Sequence, residues 1–356
     1  VEYGAAKVDT GLPIFNYAVA YDVNNREPLT YEKYPGSIND VSQLQFMIAK
    51  MKGCGYNNIG FILDRGYFSK ENLKFMDDNG FAFIIMVKGM KSFIHDQIRQ
   101  HKGSFESSWG NQIAEFGVYG KTIHTFLYAS DTRKRYIHMY YSAAKAAGER
   151  ARFEENIQQM QRYLDANRNV KGEFGPVFEK YFFLHRDQDS GVLVYAEPKL
   201  QVIQDELELC GYFAIITSEK MDEKQAIRLY KSRDASEKLF RGDKSYLGNK
   251  SFRVHTSESV QTKILIEFVA LIIRSRFYTC LKEQMQKSGK KNYMTVPAAI
   301  REVEKIELIR QSDWGYRMDY AVMATQKEIL KAFNMTAANI RTQAAAMNED
   351  LMQKRD

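Results

Sequence analysis

Residues 58–87 read NIGFILDRGYFSKENLKFMDDNGFAFIIMV, and this stretch decides the fold. The apolar run 59–63 predicts a strand, and the polar segment from Ser69 to Gly80 predicts a helix. A second apolar run, 81–87, predicts another strand. Strand, helix and strand in this order predict a parallel pair inside a layered α/β domain.

Asp64 stands where the first of these strands ends. In open α/β sheets, ligands and catalytic groups gather at the carboxyl ends of strands, so this position makes Asp64 the leading candidate among the acids. The alternative interpretation is a loop carboxylate that pairs with the neighbouring Arg65.

The segments upstream of this stretch predict further elements of the same domain. Residues 14–23 and 29–34 are rich in aromatic and β-branched residues, which predicts two antiparallel strands joined by a turn. Asp40 then resembles the N-cap of a helix that ends at Gly53.

The pattern changes between residues 90 and 207. Alternating strands with turn breaks are predicted over 113–142, a helix over 150–168 and a hairpin over 179–198. The α/β pattern returns with the apolar strand 211–218. We therefore interpret the intervening block as an insertion.

The part of the chain after this strand is predicted to be mainly helical. Asp222 and Gln225 resemble a capping pair that opens a helix. An apolar helix over 261–279 follows. The tail from residue 292 onward is predicted to be helical, and its first segment covers 296–309.

The stretch YKSRDASEKLFRGDK (230–244) presents one polar face if it is helical. At about 100° per residue, offsets of three, seven and fourteen from Tyr230 place its polar residues within roughly 60° of that tyrosine. The residues on this face are Tyr230, Arg233, Glu237, Arg241 and Lys244. The buried contacts of the helix are expected from Ile227, Leu229 and Phe240.

The chemistry of this face matches a nucleic acid backbone. Arginine, lysine and tyrosine can bind phosphates without reading sequence, whereas Glu237 would repel a phosphate. A divalent ion held by Glu237 explains its presence, because phosphodiester cleavage with two Mg²⁺ ions needs converging carboxylates, here Asp64 and Glu237. The alternative is an ordinary ion pair between Arg233 and Glu237 on a solvated helix face, with Tyr230 packing at its edge.

Composition is compatible with a basic globular protein. The 356 residues carry a formal net charge of +7 with 44% hydrophobic and 27% charged residues. This modest excess of positive charge fits a folded chain with a polyanionic partner, and it also fits many ordinary basic proteins. The most apolar run, 264–273, is about half the length of a bilayer span, so no membrane association is expected. Three dispersed cysteines disfavour disulfides and zinc and favour a reducing cytoplasm.

The spacing Y-x2-R-x3-E-x6-K resembles the YREK motif of DDE transposases encoded by bacterial insertion sequences. Three further segments are similar to parts of that family. They are DRGY at 64–67, PLTYEKYPGSIND at 28–40 and ATQKEILKAF at 324–333.

The resemblance implies a ribonuclease H-like α/β fold, in which a mixed sheet is flanked by helices and interrupted by a mixed β/α insertion, with a helical C-terminal tail. Together with the pattern of predicted elements, it gives an expected domain organisation of four parts. They are a first core part over 1–90, the insertion over 91–207, a second core part with the glutamate helix over 208–290 and a C-terminal helical segment over 291–356.

The resemblance also assigns roles to single residues. Asp64 would be the second metal-binding acid and Glu237 the third, together holding two Mg²⁺ ions, with Mn²⁺ as a possible substitute. Tyr230, Arg233 and Lys244 would contact the backbone of the transposon end, and Arg241 lies on the same stripe.

The first acid of the expected triad is not recognisable. In the family it lies upstream of a segment that corresponds here to Tyr3 and Gly4. Asp9 stands in a loop-like segment and Asp22 in a turn, so neither suits a core strand. We therefore expect that the chain starts inside the catalytic domain and that this fragment is inactive without the missing acid.

The expected function is Mg²⁺-dependent cleavage at transposon ends followed by strand transfer into target DNA. The expected partners are double-stranded DNA and a second copy of the chain, in the bacterial cytoplasm at the nucleoid. Two alternatives remain: a ribonuclease H-like nuclease without strand transfer, and an inactive DNA-binding relic. The acidic cluster HRDQD at 185–189 is interpreted as a solvated hairpin turn.

Overall fold

The computed structural model describes residues 15–35, 40–56, 59–87, 91–171, 173–233, 256–289, 294–311 and 315–353. The chain divides into two compact units. One unit comprises Val1–Gly36 together with Asp234–Asp356, and the other comprises Ser37–Arg233.

Strands and helices both occur along the whole of the described chain. The strands are β1 (Phe15–Asp22), β2 (Glu27–Pro35), β3 (Gly60–Leu63), β4 (Ala82–Met86), β5 (Gln112–Ile113), β6 (Val118–Thr125), β7 (Arg135–Tyr141), β8 (Phe182–Arg186), β9 (Leu193–Pro198), β10 (Tyr212–Thr217), β11 (Leu308–Gln311) and β12 (Gly315–Met318). The α-helices are α1 (Asp40–Gly53), α2 (Lys70–Asp78), α3 (Lys91–His101), α4 (Ala143–Ala166), α5 (Pro176–Tyr181), α6 (Leu200–Leu207), α7 (Glu223–Lys231), α8 (Ser257–Ser288), α9 (Val296–Glu304), α10 (Ala324–Ala332) and α11 (Ala337–Gln353).

The unit Ser37–Arg233 is built on a six-stranded sheet with the order β3-β4-β10-β7-β6-β5. β3 and β4 are parallel, with Leu63 opposite Ile85. The other neighbouring pairs are antiparallel. The predicted strand, helix and strand over 59–87 are therefore confirmed as a parallel pair in a mixed sheet.

Local signals explain where the helix between β3 and β4 starts and stops. The Ser69 hydroxyl accepts a hydrogen bond from the backbone N–H of Asn72 at 3.1 Å and caps the first turn of α2. Gly80 adopts a φ of +69°, which favours glycine, and it turns the chain into β4.

Helices cover both faces of this sheet. Ile85 and Ile216 pack with residues of α1, α2 and α3 in one buried cluster. Their neighbours Ile84 and Ile215 point to the opposite face and pack with residues of α7. This arrangement confirms the expected fold class, a mixed α/β sheet flanked by helices and consistent with a ribonuclease H-like fold.

Part of the block 91–207 is continuous with this sheet. β5, β6 and β7 belong to the block, yet β7 pairs with β10 along its length, from Tyr141 opposite Tyr212 to Tyr136 opposite Thr217. β8 and β9 instead form a separate hairpin that packs on α4. The predicted domain boundaries at 90 and 207 stay a prediction.

The second unit pairs β1 with β2 as the predicted antiparallel hairpin. The Tyr31 ring of β2 lies 4.8 Å from the Phe268 ring of α8, and the Ser275 hydroxyl of α8 donates to the carbonyl of Arg26 at 2.5 Å. α8 thus covers the hairpin. Across the described helices, none combines the length and apolar character that crossing a bilayer requires.

The sequence predicts a helical C-terminal segment, but the structure contains a β-hairpin within it. The helix expected over 296–309 ends at Glu304, and Leu308 pairs with Met318 in the hairpin of β11 and β12. Short apolar runs suit either element, and pairing with a partner strand decides between them here. The Asn348 side chain of α11 accepts from the Tyr316 N–H at 2.5 Å and donates to the Tyr316 carbonyl at 3.0 Å.

Candidate active site

Asp64 lies directly after β3, at the edge of the sheet where the parallel strands β3 and β4 end. Its backbone is extended, and Arg65–Tyr67 form a short 3-10 turn behind it. The Asp64 side chain is 48% exposed. The predicted position of this carboxylate, at the carboxyl end of a strand, is confirmed.

Arg233 binds this carboxylate directly. The distance from Arg233 Nη1 to Asp64 Oδ1 is 2.7 Å. In the described part of the chain, the partner of Asp64 is therefore the arginine of the polar stretch and not the neighbouring Arg65. The DRGY segment and the polar stretch that begins at Tyr230 are therefore in direct contact through this ion pair.

The helix α7 brings Arg233 to this position. Asp222 and Gln225 form the predicted capping box, in which the Gln225 N–H donates to Asp222 at 2.6 Å. The Tyr140 hydroxyl donates to the carbonyl of Glu223 at 2.7 Å and ties the first turn to the sheet. α7 ends at Lys231, so Arg233 lies just beyond it.

Tyr230 differs from its expected place on an exposed polar face. It is 4% exposed and packs with Ala226 and Ile227 against the sheet, whereas Leu229, expected to be buried, is 40% exposed. The spacing of 226, 227 and 230 forms the apolar side of α7, which explains the difference. The Arg233 guanidinium lies 5.2 Å from the centre of the Tyr230 ring.

The remaining predicted site residues lie outside the described residues. They are Glu237, Arg241 and Lys244, together with Phe240, which was expected in the buried contacts. The expectation that one helix carries all five polar residues is wrong for Tyr230 and Arg233, because α7 ends between them.

Asp64 fits a magnesium ligand by its chemistry. Mg²⁺ prefers carboxylate oxygens and usually keeps several waters, which a half-exposed carboxylate at a strand end allows. Within the segments that the structure describes, no group of three or more His, Cys, Asp or Glu side chains could hold a metal. By its position and chemistry, Asp64 could provide one ligand of a larger set.

Asp22 serves the turn after β1. Its carboxylate accepts from the backbone N–H of Asn24 at 2.8 Å, and from the backbone and side chain of Asn25 at 3.0 and 2.6 Å. Partial burial raises the pKa of Asp22, but the hydrogen bonds from Asn25 and Asn24 outweigh it and lower this pKa. The predicted turn position is confirmed, and Asp9 lies outside the described residues.

The cluster HRDQD also has the predicted turn structure. His185 and Arg186 end β8, and Asp187 accepts from the N–H and hydroxyl of Ser190 at 2.8 and 2.6 Å. The His185 ring stacks on Tyr195 with 4.1 Å between ring centres. These contacts stabilise the hairpin.

A buried histidine network that the sequence does not indicate joins the sheet to α7. His138 Nδ1 lies 2.9 Å from the Thr122 hydroxyl, and His138 Nε2 lies 3.0 Å from the Thr217 hydroxyl. Thr122 also donates to the Glu223 carboxylate at 3.0 Å. Because these side chains come from three strands and one helix, no local spacing signals the network.

This network predicts that the protein loses stability in mild acid. Burial lowers the pKa of His138 from 6.5 to about 4, with the Asp222 carboxylate opposing the shift. Between these values the unfolded chain binds a proton that the folded chain does not, so stability is full above pH 6.5 and falls as the pH decreases. We expect a loss on the order of 2–3 kcal/mol by pH 4.

Urea denaturation across this pH range measures the effect. The variant His138→Gln should show a flatter dependence of the free energy of unfolding on pH than the unaltered protein. Equal slopes for the two proteins would contradict the assignment to His138.

Most of the chain matches a model of a known protein family. A family model described as Transposase DDE domain matches residues 3–273, which is more than half of the chain. The matched range contains every predicted site residue, namely Asp64, Tyr230, Arg233, Glu237, Arg241 and Lys244. A search of curated proteins found no match.

Proposed function

The chain belongs to the family of transposase DDE domains, and from this premise we propose that it cuts DNA at transposon ends and joins the freed 3′-hydroxyl to target DNA. Both steps are phosphoryl transfers, so one set of catalytic groups serves both. DDE transposases generally use divalent metal ions and act on DNA.

The observation that carries the proposal is the meeting of Asp64 with Arg233, 2.7 Å apart at the end of β3. A carboxylate can hold a metal and a guanidinium can bind a phosphate, and phosphodiester chemistry can use both kinds of group. Their convergence from segments far apart in the chain supports a shared role in one reaction.

We assign Asp64 and Glu237 as metal ligands, and Arg233, Arg241 and Lys244 as contacts to the DNA backbone. When bound, two Mg²⁺ or Mn²⁺ ions would supply an activated oxygen nucleophile and charge stabilisation at the leaving oxygen. Asp64 presents its carboxylate at the end of β3, and Arg233 would neutralise phosphate charge beside it. The burial of Tyr230 gives it a supporting role beneath Arg233.

The proposed substrate is double-stranded DNA, bound by a homodimer that holds two transposon ends in the bacterial cytoplasm at the nucleoid. The formal net charge of +7 supports binding to a polyanion. Since such binding releases counterions, the affinity for DNA should fall steeply as the salt concentration rises.

A strand-transfer assay tests the proposal. The protein, expressed with any coding sequence upstream of Val1 so that the expected first acid can be included, is incubated with Mg²⁺, a labelled DNA duplex that ends in a pre-cut 3′-hydroxyl, and a supercoiled plasmid. Joined products are expected, and a heat-denatured sample is the control. Cleavage without joining would instead identify a nuclease, and DNA binding without either reaction would identify an inactive relic.

A further inference from the structure

We propose that Arg233 is an exchangeable counter-ion of Asp64 that couples DNA binding to metal binding. Without DNA, the guanidinium forms an ion pair with the carboxylate and lowers the affinity of Asp64 for a metal. When DNA binds, a backbone phosphate takes the guanidinium and leaves Asp64 free for the metal. This inference rests on the proposed function, because it uses Asp64 as a metal ligand and Arg233 as a phosphate contact.

The ion pair with Arg233 and the binding of a metal compete for the same carboxylate of Asp64. Arg233 Nη1 lies 2.7 Å from Asp64 Oδ1, which is a direct charge-assisted hydrogen bond to an oxygen that a metal would coordinate. A cation at this distance also repels a divalent ion. Arg233 must therefore move or release its bond before Asp64 becomes a full metal ligand.

The exposure of the pair makes the exchange feasible. The Asp64 side chain is 48% exposed and the Arg233 side chain 23% exposed, so water reaches both groups. Ion pairs in such surroundings are weak, with an equilibrium effect of up to about fivefold. A bound metal or a phosphate can displace such a partner, whereas a deeply buried pair would resist displacement.

The local structure places the guanidinium of Arg233 beside a buried ring. Tyr230 is 4% exposed and held in the cluster beneath α7. Arg233 lies beyond the end of α7, and its guanidinium is 5.2 Å from the centre of the Tyr230 ring. In the proposed exchange, the charged end of the arginine moves from the carboxylate to a phosphate while its stem stays near the ring.

Phosphate is the better partner for this guanidinium. Arginine binds phosphate oxygens in a planar, two-bonded arrangement, and a DNA backbone provides these oxygens with full negative charge. Any factor by which DNA raises the metal affinity must equal the factor by which the metal raises the DNA affinity. The coupling is therefore measurable from either side.

Titration with Mn²⁺, followed by the loss of the free-ion EPR signal, tests the inference on the full chain. The probe DNA is a short duplex, and a sample without protein corrects for Mn²⁺ bound to DNA alone. We expect DNA to raise the Mn²⁺ affinity of the unaltered protein by up to about fivefold. Arg233→Gln should bind Mn²⁺ more tightly by a similar factor without DNA and gain nothing further from DNA.

Two control variants sharpen the result. Arg65→Gln removes the exposed arginine next to Asp64 in sequence and should behave like the unaltered protein, while Arg233→Lys keeps a competing cation and should retain most of the coupling. An Arg233→Gln variant with unchanged or weaker Mn²⁺ affinity would overturn the inference. If Arg233→Gln does not fold, as judged by circular dichroism, the unaltered protein decides it: a Mn²⁺ affinity that DNA leaves unchanged, after correction for Mn²⁺ bound to DNA alone, would overturn the inference.

The variant Asp64→Asn separates this inference from the proposed function. Unchanged Mn²⁺ binding in Asp64→Asn would remove Asp64 from the metal site and refute both. Lost Mn²⁺ binding in Asp64→Asn, together with no effect of Arg233→Gln, would leave the proposed metal ligand in place and refute only the coupling.

Discussion

Replacing Asp64 with Asn is expected to lower the rate of DNA cleavage on the order of 10³-fold. The amide keeps the shape of the side chain but loses the charge that would hold a divalent ion. Metal ions contribute several kcal/mol of transition-state stabilisation in such reactions, and about 1.36 kcal/mol corresponds to a tenfold change in rate. Gel analysis of a labelled transposon-end duplex measures the loss.

The matched control is Asp78→Asn. Asp78 ends α2, is 56% exposed and pairs with Lys74 at 2.7 Å, so it offers the same chemical change away from the candidate site. Cleavage should be unchanged in this control, and Asp64→Asn should still bind DNA. Full cleavage activity in Asp64→Asn would show that Asp64 is not a catalytic residue.

Replacing Arg135 with Ala is expected to lower the free energy of unfolding by about 3–5 kcal/mol. The Arg135 side chain is 6% exposed, forms an ion pair with Asp77 of α2, and donates to Asp131 at 2.8 Å. Its removal would leave two poorly exposed carboxylates without their shared cation. Urea denaturation followed by circular dichroism measures the change.

Arg133→Ala provides the control for this prediction. Arg133 is exposed and lies two residues earlier in the same basic segment, so its replacement should change the stability by no more than about 0.5 kcal/mol. A loss in Arg135→Ala as small as that of the control would mean that the ion pairs contribute little. The contrast isolates burial, since the two variants remove the same charge.

Several elements of the fold could be predicted because their causes are local. The Ser69 cap and the positive φ of Gly80 depend on residues within a few positions, and so does the capping box of Asp222 and Gln225. Strand, helix and strand over 59–87 follow from periodicity alone. The position of Asp64 at the strand end was predictable for the same reason, while its role as a metal ligand stays a prediction.

Other features could not be predicted because packing decides them. Tyr230 fits both a polar stripe and an apolar side of α7, and contact with the sheet selects the buried position. Leu308 is similarly ambiguous until it pairs with Met318. Periodicity describes which residues share a side of an element, but it does not say which side meets the core.

The sequence by itself determined the strand, helix and strand over 59–87, the candidate carboxylate at the end of β3 and the polar stretch that carries Arg233. Only the tertiary structure decided that Arg233 binds Asp64, and that His138 links three strands with the start of α7. The physical reason is that these contacts join residues far apart along the chain. Their distances depend on strand pairing and on the packing of α7 against the sheet, which no local pattern of residues specifies.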